Sequence, residues 1–262
     1  MIRVRQIFFV LTLCTAAAGA PAFAEYPVAP DVVVFCEPTL RPVVDALGAE
    51  WRKETGIPVR VFAATTTLNL AMLAHHTRDD VLIGEGDAAA SAATAQNLIK
   101  SETIVKLWGN HLVAAALAAE LRKASLASPP ARFDLASVAG KAEIAIVDPP
   151  VAAVGGETEQ ALQKLGLWEV VRSKSIGVVD TEDAAFLLSE GDVKLAVLYA
   201  TDVAVQPNFA VTDTLPEGGQ PIIYWAAQTQ RALSPNTVKF LDFLRRADSR
   251  ARGRDVGLEV LP

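Results

Sequence analysis

Val32-Val33-Val34-Phe35-Cys36-Glu37-Pro38-Thr39-Leu40 passes within a few residues from a strand to the start of a helix. Val32 to Phe35 is a continuous apolar run rich in β-branched residues, the pattern of a strand covered on both faces. From Leu40 the period changes. Leu40, Val43, Val44, Leu47 and Trp51 fall on one helical face. Thr39 is the expected N-cap, Pro42 is compatible with the first turn, and Gly56 is the expected stop. Outward from this unit the alternation continues. Val59 to Phe62 reads as a strand, Thr65-Thr66-Thr67 as a turn, Leu68 to about His76 as a helix, and Val81 to Ile83 as a strand. The second half has strands at Ile144–Val147, Ile176–Val179 and Leu195–Tyr199. Helices are expected from Val154, from Asp180 or Thr181 to Ser189, and from Asn236 through Phe240 and Leu244. Ala114 to Arg132 reads as a helix and a loop. Strands alternating with helices imply an α/β fold with mainly parallel sheets. In such sheets ligands sit beyond the carboxyl ends of strands.

The N-terminus has the three zones of a secretory signal: Arg3 and Arg5, an apolar run from Ile7 to Leu13, and Ala22-Phe23-Ala24. Cleavage is expected after Ala24, making 1–24 a signal peptide. The run is shorter than the ~20 residues that span a bilayer, so a retained anchor is the weaker reading. A lipoprotein at Cys14 is disfavoured by Leu13. Without this segment the net charge moves from −6 to −8, because Arg3 and Arg5 are its only charged residues. An acidic exported chain with no basic run excludes nucleic acid as a natural partner and has no polybasic hold on anionic lipid. No stable membrane insertion is expected. Cys36 is the one cysteine left, so no internal disulfide is available. A buried core role is its ordinary fate.

Thr39 and Thr65-Thr66-Thr67 each follow a strand and open a helix. A helix N-terminus offers unpaired N–H groups and partial positive charge, and a hydroxyl there adds one more donor. Each threonine taken singly reads as a cap. Four such turns, at Thr39, Thr65, Val154-Gly155 and Thr181, together suggest a converging anion site.

These segments, in order, resemble the periplasmic molybdate-binding proteins of ABC importers. Phe35-Cys36-Glu37-Pro38-Thr39-Leu40 is similar to the family's F-A-A-A-S-L-like turn. Ala64-Thr65-Thr66-Thr67-Leu68 is similar to its hydroxyl-rich turn, and Asp80-Val81-Leu82-Ile83-Gly84 to its A-D-V-F-I-S run. Asn110-His111-Leu112-Val113, Asp148-Pro149, Val154-Gly155 and Asp180 to Tyr199-Ala200-Thr201-Asp202 continue the series, and Pro221-Ile222-Ile223-Tyr224 completes it. The resemblance implies a two-lobed periplasmic-binding-protein-like fold with a central ligand cleft. Lobe I would comprise 25–110 and 207–262, and lobe II 111–206. It implies a periplasmic monomer that captures a tetrahedral oxyanion, molybdate or tungstate, for an ABC permease without a cofactor. The ligand-binding groups carried over are Thr39, Thr65, the backbone of Val154 and of Thr181, and Tyr199, which reads equally well as a core aromatic.

Glu37 and Cys36 are candidate specificity modifiers, because the family's turn is small and neutral there. Two like charges 4 Å apart repel by about 4 kcal/mol at an effective dielectric of 20. A cleft-facing Glu37 would therefore disfavour a dianion, and Pro38 removes an N–H. The open alternatives are a cation or small organic solute in the same fold, or an exported binding module with no transport role. His75, His76, Asp79 and Asp80 invite a metal reading, but adjacent histidines on a helix diverge and no H-E-x-x-H or C-x-x-C is present. No nucleophile elbow, P-loop or dinucleotide fingerprint suggests an enzyme.

Overall fold

The computed structural model describes residues 31–75, 78–126, 135, 144–218 and 221–261. The expected signal peptide, His76 and part of the loop before Arg132 lie outside the described residues. The chain folds as two α/β lobes. It runs through β1 (Val32–Cys36), α1 (Arg41–Thr55), β2 (Val59–Ala63), α2 (Thr66–Ala74), β3 (Val81–Glu85), α3 (Asp87–Ala95) and β4 (Val105–Asn110). It then crosses to β5 (Leu112–Leu117), α4 (Ala118–Leu126), β6 (Ile144–Val147), α5 (Ala153–Lys164), α6 (Trp168–Arg172), β7 (Ser175–Val178), α7 (Thr181–Glu190), β8 (Leu195–Tyr199), α8 (Ala200–Ala204) and β9 (Phe209–Thr214). It returns through β10 (Ile222–Gln228), α9 (Thr237–Arg245), α10 (Ala247–Ala251) and β11 (Glu259–Val260). One sheet has the order β11-β4-β10-β3-β1-β2 and the other β7-β6-β8-β5-β9.

The decisive stretch behaves as its composition dictates. β1 is buried along its whole length. Val32, Val34 and Cys36 enter one core with Val43, Val44 and Leu47 of α1, while Val33 and Phe35 enter another with Leu73 of α2 and Ala93 of α3. Period-two alternation thus feeds both faces of the sheet. Trp51, at the end of the α1 stripe, meets Phe240 and Phe243 of α9 edge-on at 5.5 and 5.4 Å between ring centroids. Gly56 ends α1 in the left-handed region at φ 76°, and its N–H donates to the Arg52 carbonyl. The second sheet is covered alike: Ala161 and Leu162 of α5 lie over one face, and Ala184 and Leu188 of α7 over the other.

Three expectations need correction. The sheets are mixed rather than mainly parallel. β1–β2, β1–β3, β6–β7 and β6–β8 run parallel, as helical crossovers require. β10 runs antiparallel to both β3 and β4, and β5 antiparallel to both β8 and β9. These are the strands that carry the chain between lobes, and they arrive without a helical crossover. The return crossing expected near Pro207 comes too early, since β9 pairs with β5 and the Leu215 N–H donates to the Leu112 carbonyl at 2.9 Å. The stretch expected as helix and loop from Ala114 starts inside β5.

At the end of the first sheet remote from the other lobe, fully buried Asp80 accepts hydrogen bonds from three backbone N–H groups: Val33 at 2.9 Å, Leu233 at 2.7 Å and Ser234 at 2.8 Å. It joins β1 to the segment leading into α9. Asp80→Ala leaves these donors buried without an acceptor and should cost about 3 kcal/mol or more, given ~1.5–3 kcal/mol for a hydrogen bond to a charged group. A urea midpoint unchanged from wild type, with unchanged slope, would contradict this role.

Candidate functional site

The two sheets turn their strand carboxyl ends toward each other, and one small cavity lies where they meet. It is lined by Glu37, Pro38 and Thr39 after β1, Thr65 after β2, and Glu85 at the end of β3. From the other lobe come Ala152 to Val154 after β6, Asp180 and Thr181 after β7, and Tyr199 at the end of β8. Thr39, Thr65, Val154, Thr181 and Tyr199 therefore all line the same cavity. The cavity measures about 10 Å3, room for about one water molecule.

Local structure explains each placement. Thr39 sits in a 3-10 turn, Pro38–Leu40, and α1 begins only after Leu40, which makes no side-chain cap. The expected capping role of Thr39 is thus overturned, because Pro38 and the tight turn delay the helix. Its hydroxyl instead reaches across the lobes, donating to Asp202 Oδ1 at 2.7 Å and lying against the Thr201 hydroxyl. Thr65 does cap its helix: its hydroxyl oxygen accepts from the Leu68 N–H at 3.3 Å. Its O–H proton is left to donate elsewhere. Asp180 caps α7 by accepting from the Asp183 N–H at 2.9 Å. The N-terminus of α5 has Ala152 as its N-cap and no side-chain acceptor. Its approach to β6 is close. A Cβ on Gly155 would stand 2.5 Å from the Asp148 carbonyl oxygen, so glycine alone permits this contact.

Carboxylates occupy most of the remaining donors. Glu37 faces the cavity and is buried. It accepts from the Thr66 N–H at the start of α2, the place where a helix end would otherwise receive an anion. The Thr66 hydroxyl accepts from the Glu85 N–H at 2.9 Å. Tyr199, fully packed within the lobe boundary, donates its phenol to Glu85. The Tyr199 N–H donates to Asp202 Oδ2 at 3.1 Å. Behind these, Asn110 donates to the Thr201 hydroxyl at 3.0 Å and to the Tyr224 hydroxyl at 3.1 Å. Cys36 does not line the cavity. Its side chain is in the core, burial pushes its thiol up, and only its carbonyl takes part, accepting from the Ala64 N–H at 3.0 Å and from Asn69 at 3.3 Å. As a modifier of specificity it is set aside by that burial.

Asp202 and Asn110 were not singled out by sequence reasoning as site residues, and Thr66 entered only as part of the Thr65-Thr66-Thr67 turn. Glu85 has a visible signal: Gly84-Glu85-Gly86-Asp87 adds acid just past the apolar run Val81–Ile83. Asp202 has none, because its relation to Thr39 crosses 163 residues. Among the described residues no group of three or more His, Cys, Asp or Glu side chains is arranged to hold a metal ion.

Burial governs the charge state of the site. It pushes Glu37 up to about 7, aided by Asp180 and Asp202 and opposed by the Thr66 hydrogen bonds. It pushes Glu85 up to about 8, aided by Glu37, while the bond from Tyr199 opposes it. It pushes Asp202 up to about 6 against bonds from Thr39 and Thr181. The Tyr199 phenol is also raised, first by burial and then by Glu85.

Two α/β lobes closing on a donor-lined cavity at strand carboxyl ends make this a two-lobed solute-binding protein. The chain belongs to the bacterial extracellular solute-binding protein family, whose model matches residues 32–259. It is 26% identical over 216 residues to the molybdate-binding protein of Escherichia coli, covering 82% of this chain and 83% of that one. It shares its fold with the periplasmic molybdate-binding protein of Azotobacter vinelandii, with a TM-score of 0.71 at 16% identity, covering 88% of this chain and 99% of that one. An iron-bound protein from Pseudomonas aeruginosa has the same fold, with a TM-score of 0.61 at 14% identity, covering 88% of this chain and 89% of that one. The family is one of solute binders rather than enzymes. Among the described residues no helix is long and apolar enough to cross a membrane.

The raised carboxyls carry a sign that can be measured. Between its unfolded value, near 4.5, and its folded value, each glutamate holds more proton in the folded chain than in the unfolded one. Stability therefore falls as pH rises through that window. The unliganded protein should lose stability from about pH 4.5 to about pH 8, and Glu85→Gln should flatten the upper part of the decline. The exposed acids Glu54 and Asp248, lowered by Arg246, act only below this range. Urea midpoints at pH 5, 6, 7 and 8 test this, and a midpoint that rises with pH would refute it.

Proposed function

We propose that this chain is the exported, periplasmic solute-binding component of an ABC importer, that it acts as a monomer, and that its ligand is a small tetrahedral oxyanion. The binding groups are the hydroxyls of Thr39, Thr65 and Tyr199 and the backbone N–H groups of Val154 and Thr181. The observation that carries this reading is the convergence of those five residues, from both lobes, on one cavity. The uncapped N-terminus of α5 adds unpaired donors and partial positive charge to the same cavity. The name of the Escherichia coli relative makes molybdate, and with it tungstate, the first candidates. Since the cavity holds about one water, the ligand enters as the lobes part and is enclosed as they close.

One observation favours a second reading. Glu37, Glu85 and Asp180 put three acids at the cavity with no lysine or arginine lining it. That arrangement suits a ligand bearing a positive charge or several donors of its own.

A calorimetry and thermal-shift panel of molybdate, tungstate, sulfate and phosphate, with zinc, copper and small amines, separates the two. A ligand at 100 times its Kd should stabilise the folded chain by about 2.7 kcal/mol. Stabilisation by an oxyanion that is lost in Thr65→Ala supports the first reading. No response to any oxyanion, in wild type or Glu37→Gln, with a response to an amine or cation, establishes the second.

A further inference from the structure

A cavity that would receive an anion is already supplied with anions of its own. Glu37 holds the Thr66 N–H and Glu85 holds the Tyr199 hydroxyl, so two donor groups at the cavity are engaged by carboxylates of the same chain. No basic side chain stands among the lining residues. The titratable groups that face the pair from the packed elements are all acidic or phenolic. Asp180 precedes α7, Asp202 lies on α8, Glu157 lies on α5, Tyr199 ends β8 and Tyr224 lies on β10. Arg41 on α1 is more than half exposed and pairs with Asp45 at 3.4 Å.

A carboxylate can only accept hydrogen bonds, and so can a fully deprotonated oxyanion. Two such groups enclosed together repel unless a proton lies between them, whereupon the contact becomes a short charge-assisted hydrogen bond. Burial already holds both glutamates near the point of protonation around neutrality, so that proton is available at moderate pH.

We propose that Glu37 and Glu85 are the specificity-determining residues of the cleft: they admit an oxyanion only with a proton shared between it and a carboxylate, and so prefer an oxyanion that retains an ionisable proton, the hydrogenphosphate class, over fully deprotonated ones. This rests on the oxyanion reading above. Hydrogenphosphate brings its own proton as a donor to the carboxylate. Molybdate, tungstate and sulfate carry none near neutrality, and must draw one from solvent as they bind.

Isothermal calorimetry at pH 8 in two buffers of different ionisation enthalpy counts the protons taken up by the purified full-length exported protein. Inorganic phosphate and molybdate serve as probes. The expected result is a clear fractional proton uptake per molybdate bound at pH 8, rising toward one at higher pH, clearly less for phosphate, and a molybdate affinity that falls up to about tenfold per further pH unit. In the Glu37→Gln/Glu85→Gln double variant, uptake should vanish and the preference for phosphate over molybdate should disappear. Molybdate binding without proton uptake and with the same affinity from pH 6 to pH 9 would overturn the inference while leaving the oxyanion reading intact. Binding of neither probe, by wild type at pH 6 or by the double variant at any pH, would overturn both. The wild-type buffer comparison decides the question even where the double variant does not fold.

Discussion

The hydroxyl of Thr39 crosses from one lobe to the other to reach Asp202, and much of the site depends on that contact. Asp202 also accepts from the Tyr199 N–H, so it fixes the start of α8 and the end of β8 together. Tyr199, held in this way, aims its phenol at Glu85 in the opposite lobe. Asn110, the last residue before the chain first leaves the lobe, ties Thr201 to Tyr224. The lobes are thus joined by a continuous buried polar chain, three of whose members, Thr39, Tyr199 and Glu85, also line the cavity. In low-dielectric surroundings such a chain is strong when every member is satisfied and costly when one is not. Recognition and closure therefore draw on the same hydrogen bonds.

The distribution of partners across the site is uneven. On the first lobe the donors are largely spoken for, with Thr66 engaged by Glu37 and Thr39 by Asp202. On the second lobe, the start of α5 meets the cavity with no acceptor from its own N-cap. Hydroxyl and N–H donors surround the cavity, and Glu37 and Glu85 stand beside them.

The sequence made the fold legible wherever a single physical signal dominated. The buried runs Val32–Phe35 and Ile144–Val147 became strands, and the stripe from Leu40 to Trp51 became α1. Asp180 capped its helix as read. Where signals competed, the reading failed. Thr39 is a good cap by type, but Pro38 and a distant aspartate took its hydroxyl elsewhere. The antiparallel strands β9 and β10 were missed as members of their sheets because pairing direction depends on where the chain re-enters, which local periodicity does not encode. Of the five residues read as donors, all of which line the cavity, Thr39, Thr65, Val154 and Thr181 were legible because each sits at a strand-to-helix turn, and Tyr199 came from the family resemblance. The acids that modify them were found only in part. Glu37 lies inside such a turn, whereas Asp202 acts through a contact that no local pattern records.

The close seating of Gly155 against the Asp148 carbonyl has a further meaning. It places the start of α5 by main chain against main chain, with no side chain in between. At α5 the second lobe therefore presents peptide groups, whose chemistry is the same whatever residue bears them, beside the side chain of Tyr199. The first lobe's share is side chains: Glu37, Thr39, Thr65 and Glu85. Single-codon changes can rewrite the side chains of the cleft and leave the peptide groups of α5 untouched. A lineage with this scaffold can drift from one solute to another through its side chains while the start of α5 holds one part of the frame constant.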